Sequence, residues 1–200
     1  MKVLVISLLV FFTTCHLAGC KKKCSLLRDH PLSVFMYIEP NAERIKLGDT
    51  LRVKLFIPYI NIRLDNSELI DVTNSSVSSS GFWYLTYKNV TNGVPQMSGT
   101  QPELIPLKGS YKRFNDVTVR VNYIKGVDGF VFDAHLIPKE KGLAFFSNWK
   151  AEGWMNGKCE FNMFNPIIGS TNNNHQLLRD LYGPGANAPI PENHYFVWVE

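Results

Sequence analysis

The chain has 200 residues, 45% of them hydrophobic and 19% charged, which excludes a disordered polar chain and allows one domain that buries its own core. The net charge of +4 is confined to the start: Lys2, Lys21, Lys22 and Lys23 precede Cys24, and from there to Glu200 17 basic residues face 17 acidic ones. A nucleic-acid binder needs a basic face on its folded part, so this balance excludes that class.

In chain order, Met1-Lys2 is a positive start and Val3–Phe12 an apolar run of ten. A spanning helix needs about 20 such residues, whereas ten suit the core of a signal peptide. Leu17-Ala18-Gly19-Cys20 follows: an aliphatic residue, two small ones and a cysteine. This tetrapeptide resembles the lipobox of bacterial lipoproteins and fits it at all four positions. The resemblance implies cleavage before Cys20 and a diacylglyceryl thioether on that cysteine, with acylation of its amine. Several acyl chains hold firmly because each buried CH₂ contributes roughly 0.8 kcal/mol. The expected organisation is therefore a signal peptide over 1–19, a lipidated basic tether over 20–32 and a single domain over 33–200. An ordinary secretory signal cut near Gly19 is the alternative. Lys21–Lys23 read either as a contact with anionic headgroups, worth about 1 kcal/mol per charge, or as a solvated spacer. By the sorting rules of lipoproteins, Lys21 in place of aspartate implies the outer membrane, with the periplasmic face slightly ahead of the cell surface.

The remainder reads as short strands between polar turns. Leu51-Arg52-Val53-Lys54-Leu55 alternates apolar and basic residues, Ile57 extends the apolar set, and Pro58 ends it. Val117–Tyr123 alternates strictly. Ser33–Glu39, Phe82–Lys88, Gly129–Ile137, Leu143–Trp149 and Tyr195–Val199 are further strands. Thirteen Phe, eight Tyr and four Trp favour β structure. The expected fold is mainly β, an immunoglobulin-like β-sandwich with one short helix, a small β-barrel being the alternative. That helix spans His175–Tyr182, with Asn174 as its cap, Leu177, Leu178 and Leu181 on one side, and Gly183-Pro184 as its stop. Asn61–Ser80, rich in Asn, Asp and Ser, and Thr91–Pro106, with three prolines, read as long loops.

Sites of chemistry are few. Cys24 and Cys159 either pair as a disulfide in an oxidising compartment or remain free thiols. They lack the spacing of a metal site. His30, His135, His175 and His194 are scattered, Asp128 and Asp133 carry no calcium-loop pattern, and Asp65–Asp71 reads most simply as a solvated acidic loop. No Gly-x-Ser-x-Gly, His-Glu-x-x-His or phosphate-cradling glycine loop occurs, so neither catalysis nor a cofactor is expected. Asn74-Ser75-Ser76 and Asn89-Val90-Thr91 match the glycosylation acceptor and are expected to stay unused in a bacterial lipoprotein.

Trp149, Trp154, Phe161 and Phe164 lie among Gly153, Gly157, Asn156, Asn162 and Asn165. Flat rings beside amides suit stacking on a glycan, although burial in the core explains aromatics as well. Lys46-Leu47-Gly48-Asp49-Thr50-Leu51, and the run from Gly157-Lys158-Cys159 to the final Phe196 strand, resemble β-rich Gram-negative envelope lipoproteins. This likeness implies no active site. Three functions follow in order: an anchored, non-catalytic envelope component that binds a protein partner, a surface glycan binder, and an enzyme of unknown class.

Overall fold

The computed structural model describes residues 33–62, 67, 69–91, 94–155, 159–163, 166–168, 174–183 and 194–200. The first eight strands are β1 (Val34–Glu39), β2 (Arg44–Ile45), β3 (Leu51–Pro58), β4 (Ile60–Ile62), β5 (Leu69–Asp71), β6 (Ser76–Thr91), β7 (Val94–Ser98) and β8 (Glu103–Lys108). Then come β9 (Ser110–Arg113), β10 (Thr118–Asn122), β11 (Ile124–Lys125), β12 (Gly129–Ile137), β13 (Gly142–Met155), β14 (Cys159–Met163) and β15 (Pro166–Ile168). Helix α1 (His175–Tyr182) and β16 (His194–Val199) complete the order.

These strands build a β-sandwich, not a barrel. One sheet has six strands in the order β11-β12-β3-β1-β15, with β8 also on β12. The other has eight, ordered β2-β16-β13-β6-β10-β9, with β14 on β13 and β7 on β6. The period of two decides what faces inward. On β3, Leu51, Val53, Leu55 and Ile57 are wholly buried while Arg52, Lys54 and Phe56 point the other way. Val34, Met36 and Ile38 of β1 join them, as do Phe130, Phe132, Ala134 and Leu136 of β12. From the opposite sheet come Phe82, Tyr84, Val119, Val121, Phe146, Tyr195, Val197 and Val199. Phe146 centres this layer, with ring centroids 6.2 Å from Phe82, 5.3 Å from Tyr84 and 6.0 Å from Tyr195.

The eight-stranded sheet has a second apolar face. Leu143, Phe145 and Phe196 alternate with core residues and pack beneath Leu177 and Leu178 of α1, with Leu85, Tyr87, Trp198, Leu181 and Tyr182 around them. A helix of eight residues is not stable alone, so this contact holds it. Its expected cap is corrected by the geometry. Asn174 is left-handed (φ 56°), and its side chain makes no capping bond. Its amide Nδ2 instead donates to the carbonyls of Ala42 and Phe196, each at 2.9 Å. The side chain is drawn away from the helix end to join the β1–β2 connection to β16.

Both expected loops contain strands. Asn61–Ser80 holds β4, β5 and the start of β6, and Thr91–Pro106 holds β7 and most of β8. Two strands carry their prolines on edges, where a missing N–H is tolerated: Pro95 lies in β7, which pairs only β6, and Pro106 in β8, beside a bulge at Asp133/Ala134. Asn61 is no turn residue. It is fully buried, its Oδ1 accepting from the Ser33 N–H and its Nδ2 donating to the Ser33 carbonyl, both at 2.8 Å. Among the described residues no helix is long and apolar enough to cross a membrane.

Candidate functional site

The outward face of the six-stranded sheet sets aromatic side chains among charged ones. Register aligns its residues in cross-strand rows. One row runs Phe35, Phe56, Val131 and Ile124; the next Tyr37, Lys54, Asp133 and Lys108; the third Glu39, Arg52, His135 and Ile105. Aromatic, basic and acidic side chains thus lie within one pleat of each other on three adjacent strands.

Each part of the face is held in place by another. Phe35 and Tyr37 stack with centroids 6.4 Å apart and planes 21° from parallel. Lys54 Nζ lies over two rings, 5.9 Å from the Tyr37 centroid and 5.5 Å from that of Phe56, within cation–π range. Phe56 in turn lies over Gly129, where a Cβ would come within 2.6 Å of its ring and 2.3 Å of the Ile57 carbonyl. Only a glycine leaves that ring room.

Asp133 is the one carboxylate of these rows that is buried, at 2% side-chain exposure. Arg52 covers it with a two-pronged contact: Nε donates to Oδ1 at 3.0 Å and Nη2 to Oδ2 at 2.6 Å. Hydrogen bonding from Arg52 holds the Asp133 carboxyl below its ordinary range against the opposing effect of burial, and the charges of Arg52, Lys54 and Lys108 add to it. Glu39 stands 3.9 Å from the other Arg52 nitrogen. Tyr37, Glu39, Arg52 and Lys54 line a shallow hollow of about 140 Å³.

Chemically, this face can offer ring surfaces, guanidinium and ammonium donors, and one acidic rim. Asp133 is poorly suited to accept a proton near neutrality, because both of its oxygens already accept from Arg52. A larger open cleft of about 680 Å³ lies between Ser98–Gln101 and Arg113–Asp116. Its polar groups serve the turn itself, with Asn115 Oδ1 accepting from the N–H of Val117 and Thr118, and Gln101 donating to the Asn115 carbonyl. Among the described residues, no three of His, Cys, Asp and Glu gather as a metal site.

The residues singled out in sequence fall elsewhere. Trp149 and Trp154 are in β13 and Phe161 in β14; in the backbone register Trp154 pairs with Glu160 and Phe161 with Gly153. Phe164 lies outside the described residues, as do Cys20 and Cys24. Cys159 opens β14 across from Met155. His135 belongs to the outward face; His175 and His194 flank the Phe196 ring at 5.8 and 6.4 Å. The signal for the face was present in the text as the off-phase letters of β1, β3 and β12, which alternation assigns to solvent and thereby hides.

No protein-family model matches the chain, and no curated protein matches it. Among solved structures it is similar to the second type II cohesin module of the adaptor scaffoldin ScaA from Acetivibrio cellulolyticus, at 14% identity over 59% of this chain and 70% of that one, with a TM-score of 0.33. A mutant type II cohesin–X-dockerin complex from the same organism gives 13% identity over 70% and 99%, with a TM-score of 0.37. The human F-spondin reeler domain gives 10% over 66% and 90%, with a TM-score of 0.31.

Proposed function

We propose that the chain is a non-catalytic binding protein, held to the outer membrane through a lipid on Cys20, that engages a protein partner with the outward face of its six-stranded sheet. The observation that carries this reading is the make-up of the face: Phe35, Tyr37 and Phe56 half-buried around Lys54, beside the Arg52–Asp133 pair. An antiparallel sheet that merely meets water is polar on that side. Aromatic residues and arginine set among ordered charges are instead what binding surfaces concentrate.

The pre-set geometry matters as much as the composition. Lys54 is fixed over two rings and Arg52 by two hydrogen bonds, so less side-chain freedom is lost when a partner arrives.

The test is site-specific photo-cross-linking of the full chain in its own cells, with the reactive residue at Tyr37 or, for comparison, at exposed Arg179 of α1. The expected result is a protein adduct of discrete mass from position 37, lost in a Lys54→Glu variant and absent from position 179. Equal labelling from both positions, or none from 37, would reject the face as the binding surface. Retention of the Cys20→Ser protein in the membrane fraction would reject the anchor.

A further inference from the structure

We infer that the end of the sandwich bearing β4 and β5 rests on the lipid surface to which the chain is anchored; this deepens the proposed function and rests on its lipid at Cys20. In the β4–β5 ribbon Ile62 pairs with Leu69 and Ile60 with Asp71, so Ile60, Ile62 and Leu69 share its outer side with one carboxylate, Asp71, at its margin. The inner side is occupied differently, with Asn61 buried and Ile70 packed on the core. All three outer residues are exposed, Leu69 at 66%.

Two more exposed apolar residues belong to the same end. Tyr59, next to Ile60, donates its N–H to the Asp128 carbonyl at 2.9 Å and its hydroxyl to the Gly126 carbonyl at 2.8 Å. Those bonds bracket Val127, which is 92% exposed, and β11 with exposed Ile124 leads into that turn. Five large apolar side chains therefore crowd one end. Charged residues stand beside these side chains: Asp71 opposite Ile60, and Lys125 and Asp128 next to Ile124 and Val127 in sequence.

What covers this end is indicated by where the chain enters. Asn61 of the ribbon grips Ser33 by both its N–H and its carbonyl. From Ser33 back to Cys20 are 13 residue steps. Fully extended they reach about 45 Å, and as a flexible chain about 20 Å. A lipid on Cys20 therefore gives the ribbon end the higher local concentration at the bilayer, since the tether enters there. Lys21–Lys23 draw the tether onto anionic headgroups, and the apolar side chains are of the kind that settle at the headgroup–acyl boundary.

The test uses the full acylated chain in phosphatidylethanolamine–phosphatidylglycerol vesicles doped with nitroxide-labelled lipid. A fluorescent amino acid is placed at position 69 or, as the control, at exposed Phe114. Quenching at 69 should exceed that at 114 several-fold, persist in high salt, and fall toward the control level in an Ile60→Ser/Ile62→Ser variant. Equal quenching at the two positions in protein whose mass shows an acylated Cys20 would overturn the docking while leaving the anchor intact. An unacylated mass would overturn the anchor and the docking with it. Shielding of position 69 from soluble quencher and lipid alike, in a species of doubled mass, would assign the patch to a second copy instead.

Discussion

The two outer faces of the sandwich are built from the same kind of strand and finished in opposite ways. Over the eight-stranded sheet, Leu143, Phe145 and Phe196 are sealed under Leu177 and Leu178, with His175 and His194 at the margin of the contact. Over the six-stranded sheet, Phe35, Tyr37 and Phe56 remain half-exposed among Lys54, Arg52 and Asp133. Area explains the first face: burying such side chains contributes about 1.5–3 kcal/mol each, and the helix exists because of it. The second face gives up that gain, and its aromatics are ordered by charges rather than by a covering layer. Stability therefore draws on one outer face, and the proposed recognition on the other.

Substitutions can break that division, starting with the largest effect. Phe145→Ala removes a ring that packs against Tyr87 and Phe196 at 5.4 and 6.1 Å. It should lower unfolding stability by about 3–5 kcal/mol in urea titration, the usual cost of emptying such a site. Partner adducts from position 37 should persist wherever the variant is still folded.

Arg52→Ala acts on the other face and leaves the Asp133 carboxylate short of two hydrogen bonds. The expected loss is about 2 kcal/mol, toward the middle of the range for an unsatisfied buried group, because Arg52 is itself half exposed. The sign with pH follows from the lowered Asp133 value. The folded state binds this proton less readily than the unfolded one, so the stabilisation is present above the unfolded value near 3.9 and is lost as pH falls through the folded value. Acid titration of unfolding should show that component in the native chain and not in Arg52→Ala. Tyr195, raised to about 12 chiefly by burial, gives the opposite flank, with stability falling as pH rises from about 10 toward 12.

Tyr37→Ala should have the smallest effect on stability and the largest on binding. It removes one stacking partner and one of two rings under Lys54, worth about 1 kcal/mol or less. Loss of the cross-link at a neighbouring position, with the melting temperature almost unmoved, would sharpen the contrast; loss of stability comparable to Phe145→Ala would erase it.

The period of two made much of the inner layer legible: Leu51–Ile57 and Val119–Val121 lie where alternation puts them, whereas β12 is buried on both faces from Gly129 to Ala134. The helix was equally plain from Leu177, Leu178 and Leu181 between Asn174 and Gly183. Polar letters with buried roles were not legible. Asn61 and Asn174 look like turn and cap residues because their amides favour those places, yet both are clamps between segments distant in sequence. Strand β8 was masked by Pro102 and Pro106, since nothing local says that it will lie on an edge. The outward aromatic face was hidden for another reason: its row order depends on the register of β1, β3 and β12, which is a tertiary property.

The position of β16 sets a limit on when this molecule can exist. It lies between β13 and β2, and its partners there are more than 45 and 150 positions earlier in the chain. Until residues 194–199 are available, β13 has an open edge along its first half, Phe145 lacks Phe196 on one side of the sheet and Phe146 lacks Tyr195 on the other. Ordering β16 also fixes α1, because Asn174 donates to the Phe196 carbonyl. Closure is therefore one late event that joins both sheet edge and helix, and so much pairing at long range belongs to the slow, millisecond-to-second class of folding. A molecule released before that strand has docked would expose an edge ready to pair with another chain, so the interval before closure is when aggregation would be decided.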